Sequence, residues 1–312
     1  MSRRRTRRRR AASNAAGRSR GGPRGPAPDG VLVVDKPEGP TSHDVVESAR
    51  RSLGTRAGHT GTLDPLATGV LPLVLGKATR LSRFYQNQDK EYLAGIGLGR
   101  ATETYDREGA VVREGPVPDL STREVRELLD RFVGEIPQRP PLYSAVRVGG
   151  RRLYELARRK QQGEPPLRHV RIHGIELLER GREEWTLQVH CSAGTYIRSL
   201  AHDLGEAIGC GAFLESLRRT RSGSFDLSRA VSPERMGEEW ERAHFPLDAL
   251  LPELPQVELE DPEAKRVRHG GQVVVDPPLP GGWCRILHGG RLVALGETDA
   301  ATIQPSIVLD PL

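Results

Sequence analysis

Strand-like and helix-like patterns follow one another irregularly along this chain, and this irregularity limits the folds open to it. The β-branched apolar run Val31–Val34 is typical of a buried strand, whereas Val45, Ala49 and Leu53 recur at helical spacing. Residues 91–99 then alternate, as a half-buried strand does. Because no regular strand–helix repeat develops, the pattern favours a mixed α+β fold over a parallel α/β fold.

Capping signals place two helices. The pairs Thr41 with Asp44 and Ser121 with Glu124 are capping boxes, and each predicts a helix start. Gly54 is placed to end the first of these helices.

Apolar runs place further elements. Residues 69–76 are uniformly apolar, which fits a fully buried strand even though Pro72 cannot donate to a sheet ladder. Residues 185–191 alternate and lead into a helix whose apolar face extends from Ile197 to Ile208.

The N-terminal residues account for the basic character of the chain. The sequence holds 47 Lys and Arg residues and 41 Asp and Glu residues, of which residues 1–30 contain ten arginines and one aspartate. The other 282 residues therefore have 37 basic and 40 acidic side chains, a net charge of −3. We predict that residues 1–29 are a disordered, Arg-rich tail with non-specific affinity for RNA phosphates. Any nucleic-acid site on the folded body must then be a local basic patch.

Residues 135–168 form such a patch. They contain five prolines and eight basic residues, among them Arg147. This composition predicts a basic insertion that closes over a phosphate-bearing ligand, although a solvated helix around residues 152–160 fits the same residues.

A second change of composition falls at residues 251–255, Leu-Pro-Glu-Leu-Pro. It predicts a boundary between a large domain at 30–252 and a small β-rich module at 253–312. Residues 284–287 and 292–295, beside two Gly-Gly turns, are expected to be hairpin strands.

Several cofactor and metal motifs are incomplete. Gly76-Lys77 lacks both the earlier glycine and the following hydroxyl of a phosphate-binding loop, because Leu71 and Ala78 stand in those places. The three cysteines are far apart, which argues against a disulfide framework or a cysteine zinc site and for a reducing compartment. No apolar run approaches the roughly 20 residues of a membrane-spanning helix. We therefore predict a cytoplasmic protein that uses no metal and no nucleotide cofactor.

Asp64 is the residue of greatest chemical interest. It stands between Leu63 and Pro65, in a segment with glycines at 58 and 61 that let a ligand approach the backbone closely. Burying an unpaired carboxylate costs several kcal/mol, so Asp64 should have a partner or a task. From these residues alone, a turn-opening Asp-Pro and a catalytic carboxylate both stay open.

The segment Gly58-His-Thr-Gly-Thr-Leu-Asp-Pro-Leu-Ala-Thr-Gly-Val-Leu-Pro-Leu73 resembles the signature of the TruB family, the bacterial tRNA pseudouridine-55 synthases. The resemblance continues in order through residues 30–37, 89–92, 102–106, 138–146, 194–199 and 217–219. It implies a pseudouridine synthase fold, with a central mixed, mainly antiparallel sheet flanked by helices. Residues 289–297 and 303–309 resemble a PUA-like RNA-binding module, which would be the region 253–312.

The resemblance also implies three catalytic residues. Asp64 matches the aspartate that attacks the nucleotide so that the glycosidic bond breaks. Arg198 matches the arginine that pairs with this aspartate, and an anionic partner would offset the unfavourable position of a cation at a helix start. Tyr92 matches a tyrosine that stacks on the target base and takes part in proton transfer.

Five further residues are expected to bind substrate, four of them from the resemblance. His59 matches a histidine that fills space beside flipped-out nucleotides, and Leu217 matches a residue of the pocket wall. Lys36 and Asp106 match positions for substrate contact or loop architecture, and Arg147 belongs to the basic insertion.

We therefore expect a monomeric isomerase that converts uridine 55 in the T-loop of tRNA to pseudouridine, with the T-arm as partner. Two alternatives stay open. One is a related synthase directed by a guide RNA within a larger complex, and the other is an RNA-binding folding factor in which catalysis is secondary.

Overall fold

The computed structural model describes residues 28–142, 147–148, 151–152, 165–299 and 301–310. The Arg-rich tail up to residue 27 and the side chains of residues 143–164, including Arg147, lie outside this description. The described helices are α1 (Ser42–Leu53), α2 (Ser82–Gln86), α3 (Thr122–Asp130), α4 (Ile197–Ile208), α5 (Met236–Ala243) and α6 (Asp261–Arg268). Short 3-10 helices cover Gly76–Leu81, Leu227–Arg229 and Leu247–Ala249.

The strands, in chain order, are β1 (Gly30–Lys36), β2 (Ala57–His59), β3 (Ala67–Leu75), β4 (Lys90–Leu98), β5 (Arg100–Thr102), β6 (Val111–Glu114), β7 (Gly134–Gln138), β8 (Arg147–Val148), β9 (Arg151–Arg152), β10 (Arg168–Arg180), β11 (Glu184–Cys191), β12 (Ala212–Ser222), β13 (Phe225–Asp226), β14 (His244–Pro246), β15 (Gln256–Glu258), β16 (Val273–Val274), β17 (Gly282–His288), β18 (Arg291–Thr298) and β19 (Thr302–Val308).

One large sheet has the strand order β14-β1-β3-β12-β4-β11-β10-β7, with β2 beside β3 and β13 beside β12. The pair β3–β12 is parallel, and the other described pairs of this sheet are antiparallel. The predicted α+β class, with a mixed and mainly antiparallel sheet, is confirmed.

The first strand shows why the middle of this sheet is apolar on both faces. Val31 and Val33 belong to one apolar cluster, and Leu32 and Val34 belong to another on the opposite face. Since successive side chains of a strand point to opposite faces, a continuous apolar run requires cover on both sides. The predicted fully buried strand at 69–76 lies almost entirely within β3, where Pro72 pairs with Val33.

Both predicted capping boxes are confirmed. The side chains of Thr41 and Ser121 accept hydrogen bonds from the backbone of Asp44 and Glu124, whose carboxylates accept hydrogen bonds in return from the backbone of the two capping residues. Gly54 ends α1 in the left-handed conformation, as the sequence predicts.

Both ends of the segment predicted as a basic insertion belong to strands of the large sheet. Its first residues form β7, and Arg168 begins β10, which pairs with β7 from Arg168 to Ile172. Ile136 and Val170 are buried on this pair, so apolar burial outweighs the proline and arginine content at both ends of the segment. Pro137 is tolerated because β7 is the edge strand of the sheet.

A second sheet, of order β15-β17-β18-β19-β16, follows and encloses its own apolar cluster with α6. The predicted hairpin strands at 284–287 and 292–295 are the paired β17 and β18. Leu292 and Leu309 of this region share an apolar cluster with Val31 and Val33 of the large sheet. In the described part of the chain, no helix combines the length and apolarity required to cross a membrane.

Candidate active site

A cleft of about 670 Å³ opens beside the loop between β2 and β3. Asp64 comes from that loop, Tyr92 from β4, Arg198 from the start of α4, and Leu217 and Arg219 from β12. The parallel pairing of β3 with β12, with Leu217 opposite Ala67, places the Asp64 loop next to the β12 wall. The fold therefore brings together the three residues expected to be catalytic.

Arg198 lies between two carboxylates. Its Nε is 2.9 Å from Oδ2 of Asp64, and its Nη1 is 3.4 Å from Oδ2 of Asp106. The side chains of Arg198 and Asp106 are each 6% exposed, whereas that of Asp64 is 35% exposed. Asp64 is thus the carboxylate of this group that a substrate can reach.

Asp106 is held by its own hydrogen bonds as well. Its Oδ1 accepts from the hydroxyl of Thr104 and, at 3.1 Å, from the backbone amide of Glu108. These donors and Arg198 together compensate a buried negative charge. Asp106 lines the cleft but is nearly inaccessible, so its position supports the fixing of Arg198 more than direct contact with substrate.

The start of α4 is an unusual place for a cation. Arg198 is the second residue of this helix, which begins directly after Tyr196. A positive charge there opposes the helix dipole, and the two aspartates supply the negative charge that offsets it. The expected contact between Arg198 and Asp64 is therefore present, with Asp106 as a second anionic partner.

Gln138 fastens the start of α4 to the large sheet. Its amide oxygen accepts from the Tyr196 backbone amide at 2.8 Å, and its amide nitrogen donates to the Tyr196 carbonyl at 3.0 Å. Sequence reasoning placed Gln138 in a motif but gave it no task. Its buried amide now explains how the preceding edge strand holds the helix that presents Arg198.

Tyr92 and Leu217 form part of the cleft wall. Tyr92 is 8% exposed, and this burial raises the pKa of its phenol. The phenol is therefore neutral near neutral pH and offers a flat apolar ring together with a hydroxyl. Leu217 adds an apolar surface on the adjacent strand.

Lys36 lies beneath the Asp64 loop instead of facing the cleft. Its fully buried ammonium donates to the carbonyls of Ala67 at 2.6 Å and Pro65 at 3.2 Å. Burial lowers the pKa of Lys36 to about 8, while the nearby Asp64 acts in the opposite direction. Of the two uses that the sequence suggested, loop architecture fits this position.

Ser42 fixes the same loop from α1. Its hydroxyl accepts from the Leu63 amide at 2.8 Å and donates to the Leu63 carbonyl at 2.9 Å. Because Leu63 precedes Asp64, these two bonds set the direction in which the carboxylate leaves the loop.

Arg219 is a cleft residue that sequence reasoning did not select. It is 1% exposed, donates from Nε to the Val70 carbonyl at 2.7 Å, and donates from Nη2 to the Gly61 carbonyl at 3.1 Å. Its own carbonyl approaches Gly69 so closely that a Cβ on that glycine would lie 2.1 Å away. An arginine in an alternating strand indicates a solvent-facing position, so nothing in the local pattern revealed this burial.

Lys90 is a second cation in the cleft wall. It is 5% exposed and donates to the carbonyls of Gln86, at 2.8 Å, and Gln88. Burial, followed by the neighbouring charge of Arg219, lowers the pKa of Lys90 to about 8. The cleft wall therefore carries positive charge as well as its aspartates, which suits an anionic ligand.

His59 does not line this cleft. It lies in an adjacent hollow, which Gln86 also borders, and burial lowers the pKa of its imidazole. Arg147 belongs to a two-residue strand paired with β9, and its side chain lies outside the described residues.

The arrangement has a definite chemical capacity. Asp64 is an accessible carboxylate that Arg198 contacts and orients, beside the neutral phenol of Tyr92. An oriented carboxylate is suited to nucleophilic or general-base chemistry on an electron-poor centre. Both aspartates contact the same guanidinium, so their negative charge is compensated from within the protein.

Comparison with known proteins identifies this architecture. Residues 50–197 match the profile of the TruB family pseudouridylate synthase N-terminal domain. Residues 198–252 match the tRNA pseudouridylate synthase B C-terminal domain, and residues 255–309 match the pseudouridine synthase II TruB C-terminal profile.

Individual relatives agree with these profiles. The chain is 44% identical over 284 residues to tRNA pseudouridine synthase B of Azoarcus sp. strain BH72, covering 89% of this chain and 93% of that protein. It is 41% identical over 292 residues to the protein of the same name from Solibacter usitatus, covering 90% of this chain and all of that protein.

A solved structure, the crystal structure of a Cbf5-Nop10-Gar1 complex, contains a chain with 31% identity and a TM-score of 0.70, covering 90% of this chain and 85% of that one. These similarities extend over nearly the whole described length, and the fold is the pseudouridine synthase fold. The chain belongs to the TruB family of pseudouridylate synthases, which are isomerases.

Proposed function

We propose that the protein isomerises uridine 55 in the T-loop of tRNA to pseudouridine, with Asp64 as the nucleophile. The observation that carries this proposal is the difference in access within the Asp64–Arg198–Asp106 group. Arg198 and Asp106 are buried, whereas the carboxylate of Asp64 opens into the cleft. Relatives named tRNA pseudouridine synthase B, at 41 to 44% identity, support tRNA as the substrate.

The reaction rearranges one nucleotide without an external reactant. Asp64 attacks the nucleotide, and the bond between uracil N1 and ribose C1′ breaks. The base turns and bonds to C1′ through C5, Asp64 is released, the C5 proton leaves, and N1 gains a proton. The product is an isomer of the substrate, so the atoms and electrons balance.

Residues of this chain support each stage. Arg198 pairs with Asp64 and holds its carboxylate toward the cleft. The ring of Tyr92 is placed to stack on the base while it turns, and its neutral hydroxyl is suited to proton transfer. Lys90 and Arg219 favour the negative charge of the detached base and the RNA backbone near the cleft.

Recognition of the RNA is part of the same proposal. Chemistry on a base requires it to leave the stack, and bases of a hairpin loop can be extruded at modest cost. His59, in the hollow next to the cleft, fills space beside the extruded nucleotides. The basic segment around Arg147 clamps the T-arm, and the module at 253–312 extends the contact.

The decisive experiment replaces Asp64 by asparagine. Asp64→Asn keeps the size of the side chain and removes the nucleophile, so pseudouridine formation should vanish while tRNA affinity changes by no more than a few-fold. Because the base loses its C5 hydrogen, tritium release from tRNA labelled at uridine C5 measures the reaction. Asp119→Asn, which makes the same chemical change at an exposed residue outside the cleft, is the matched control.

The outcomes separate the alternatives. Residual pseudouridine in Asp64→Asn would reject the nucleophile assignment, and loss of RNA binding alone would make Asp64 structural. The similarity to a chain of a Cbf5-Nop10-Gar1 complex favours one competing function, a synthase that works within a larger complex, which we extend to one directed by a guide RNA. Purified protein that converts an unmodified tRNA transcript without another RNA would exclude it.

A further inference from the structure

Three metal-ligating side chains converge on the large sheet, apart from the residues that carry the proposed reaction. Asp89 directly precedes β4, His173 belongs to β10, and His190 belongs to β11. Their ligand atoms all lie within 4.8 Å of one another. The three residues are 84 and 17 positions apart in sequence, so no short motif reveals the group.

We propose that Asp89, His173 and His190 form a binding site for a divalent transition-metal ion of the zinc class. This group, called the His-His-Asp site below, lies outside the Asp64–Arg198–Asp106 group and has no part in the isomerisation. Two imidazoles and a carboxylate are typical ligands of such ions, whereas Mg²⁺ and Ca²⁺ prefer sites made of oxygen atoms.

A β-bulge brings the two histidines together. The pairing of β10 with β11 shifts between Ile172, opposite Cys191, and Gly174, opposite His190, so His173 is the extra residue. A bulge redirects the side chain at the inserted position, and here the two imidazole rings lie 4.6 Å apart at an angle of 43°. The residue opposite His190 is a glycine, which leaves space for both rings.

The distances suit a shared ion. Nε2 of His173 is 3.2 Å from Oδ2 of Asp89, and Nε2 of His190 is 3.9 Å from the same oxygen. Zinc bonds of about 2.0–2.2 Å in a tetrahedral arrangement separate neighbouring ligand atoms by about 3.3 Å. The His173–Asp89 distance already matches this separation. Since all three ligand atoms lie within 4.8 Å of one another, side-chain movements of at most about 1.5 Å close them around one ion.

The backbone next to two of the ligand residues is held in place, and all three ligand side chains are partly exposed. Asp89 and His190 are each followed by a buried residue, Lys90 and Cys191, and the Asp89 carbonyl accepts from the Gly223 amide at 2.8 Å. The three side chains are 30 to 49% exposed. An ion held here keeps at least one coordination position open to water or to a phosphate oxygen.

The competing description is a pair of ion pairs, in which both Nε2 atoms carry protons and the two imidazoles share the Asp89 carboxylate. A metal needs both nitrogens unprotonated, so the two descriptions differ in what the purified protein does with zinc. Residues 1–27 contain no His, Cys, Asp or Glu, so the tail offers no competing ligand.

The test is calorimetric titration of the full-length, chelator-treated protein with Zn²⁺ near neutral pH. We expect one saturable equivalent that disappears, or weakens at least about tenfold, in His173→Ala, His190→Ala and Asp89→Asn, since even loss of a partner outside the ligand shell costs that much. His288→Ala is the matched control, because His288 also contacts one aspartate, Asp261, but belongs to no described group of three. Mg²⁺ should not compete.

Two results would overturn the proposal. One is the absence of saturable Zn²⁺ binding by the unaltered protein, which would leave only ion pairs between the two histidines and Asp89. The other is unchanged binding in His173→Ala and His190→Ala. All three ligands are partly exposed, so the variants should keep the unfolding temperature of the metal-free protein, and that measurement confirms that a loss of binding is local.

Discussion

Replacing Arg198 by methionine tests whether this arginine is chiefly a structural counter-ion or an orienting group for Asp64. Methionine retains much of the side-chain volume and removes the charge between two carboxylates. Asp106 would then be a buried anion without its cation, because its side chain is only 6% exposed. Asp64 would suffer less, since its side chain is 35% exposed and water can solvate it.

The expected loss of folding stability in Arg198→Met follows from these exposures. Breaking a buried ion pair by removing one partner typically costs about 3–5 kcal/mol. Thr104 and the Glu108 amide still donate to Asp106, so its share should fall near the lower limit, about 2–3 kcal/mol. The share of Asp64 should stay within about 1 kcal/mol, as for other accessible pairs. A total of about 3 kcal/mol lowers the melting temperature by roughly 6–12 °C in a protein of this size.

A second variant separates stability from catalysis. In Arg198→Met with Asp106→Asn, no buried charge is left unpaired, so most of the lost stability should return. Activity should not return, because Asp64 still lacks the guanidinium that orients it, and a misplacement of about 1 Å can cost roughly 100-fold in rate. Thermal unfolding and tritium release, measured on both variants, give the two quantities independently.

Either of two results would refute this reasoning. If the single variant is as stable as the double variant, Asp106 does not depend on Arg198 for its charge compensation. If the double variant recovers activity with stability, Arg198 serves the fold and does not orient the carboxylate.

Two further predictions concern stability. Burial, together with the charge of Glu206, raises the pKa of Asp203 from 3.8 to about 6. Between these two values the folded state binds more protons than the unfolded state, so ionised Asp203 destabilises the fold increasingly as the pH rises. This destabilisation is complete at about pH 7. Asp203→Asn should therefore raise the free energy of unfolding by about 1 kcal/mol at about pH 7, allowing for partial solvent screening, and change it little at about pH 3.5; equal effects at both pH values in denaturant titrations would contradict this. Gly69→Ala places a Cβ 2.1 Å from the Arg219 carbonyl at a φ of +100° and should cost about 3 kcal/mol or more. Gly134→Ala, at a φ of +104° with no atom within 4 Å, carries only the backbone strain, and an equal loss in both variants would show that the contact is irrelevant.

Local chemistry explains why much of the fold was predictable. The capping boxes at Thr41 and Ser121, the glycine after α1 and the apolar run of β3 depend on residues a few positions apart, and each formed as expected. The strands at both ends of the predicted basic insertion were not foreseen, because β7 and β10 are held by pairing with each other across about 30 residues. Such long-range pairing outweighs the local effect of prolines.

The candidate site also combines residues that the sequence indicated with residues that it did not. The resemblance to a family pointed to Asp64, Tyr92 and Arg198, and the register of the large sheet then determines that they face one cleft. The burial of Lys36 and Arg219 could not be derived from their neighbours, since each is satisfied by carbonyls of the distant Asp64 loop or of β3. The bulge that turns His173 toward His190 is likewise a property of two paired strands and not of either alone.

The apolar layer that Val31 and Val33 share with Leu292 and Leu309 has a geometric consequence. Because side chains of the second sheet pack against the first sheet, the second sheet cannot move independently as a domain on a flexible linker would. The Asp64 cleft and the C-terminal strands are therefore held at a fixed distance from each other. Under the proposed function, an RNA that contacts both regions must match that separation in its length and bend.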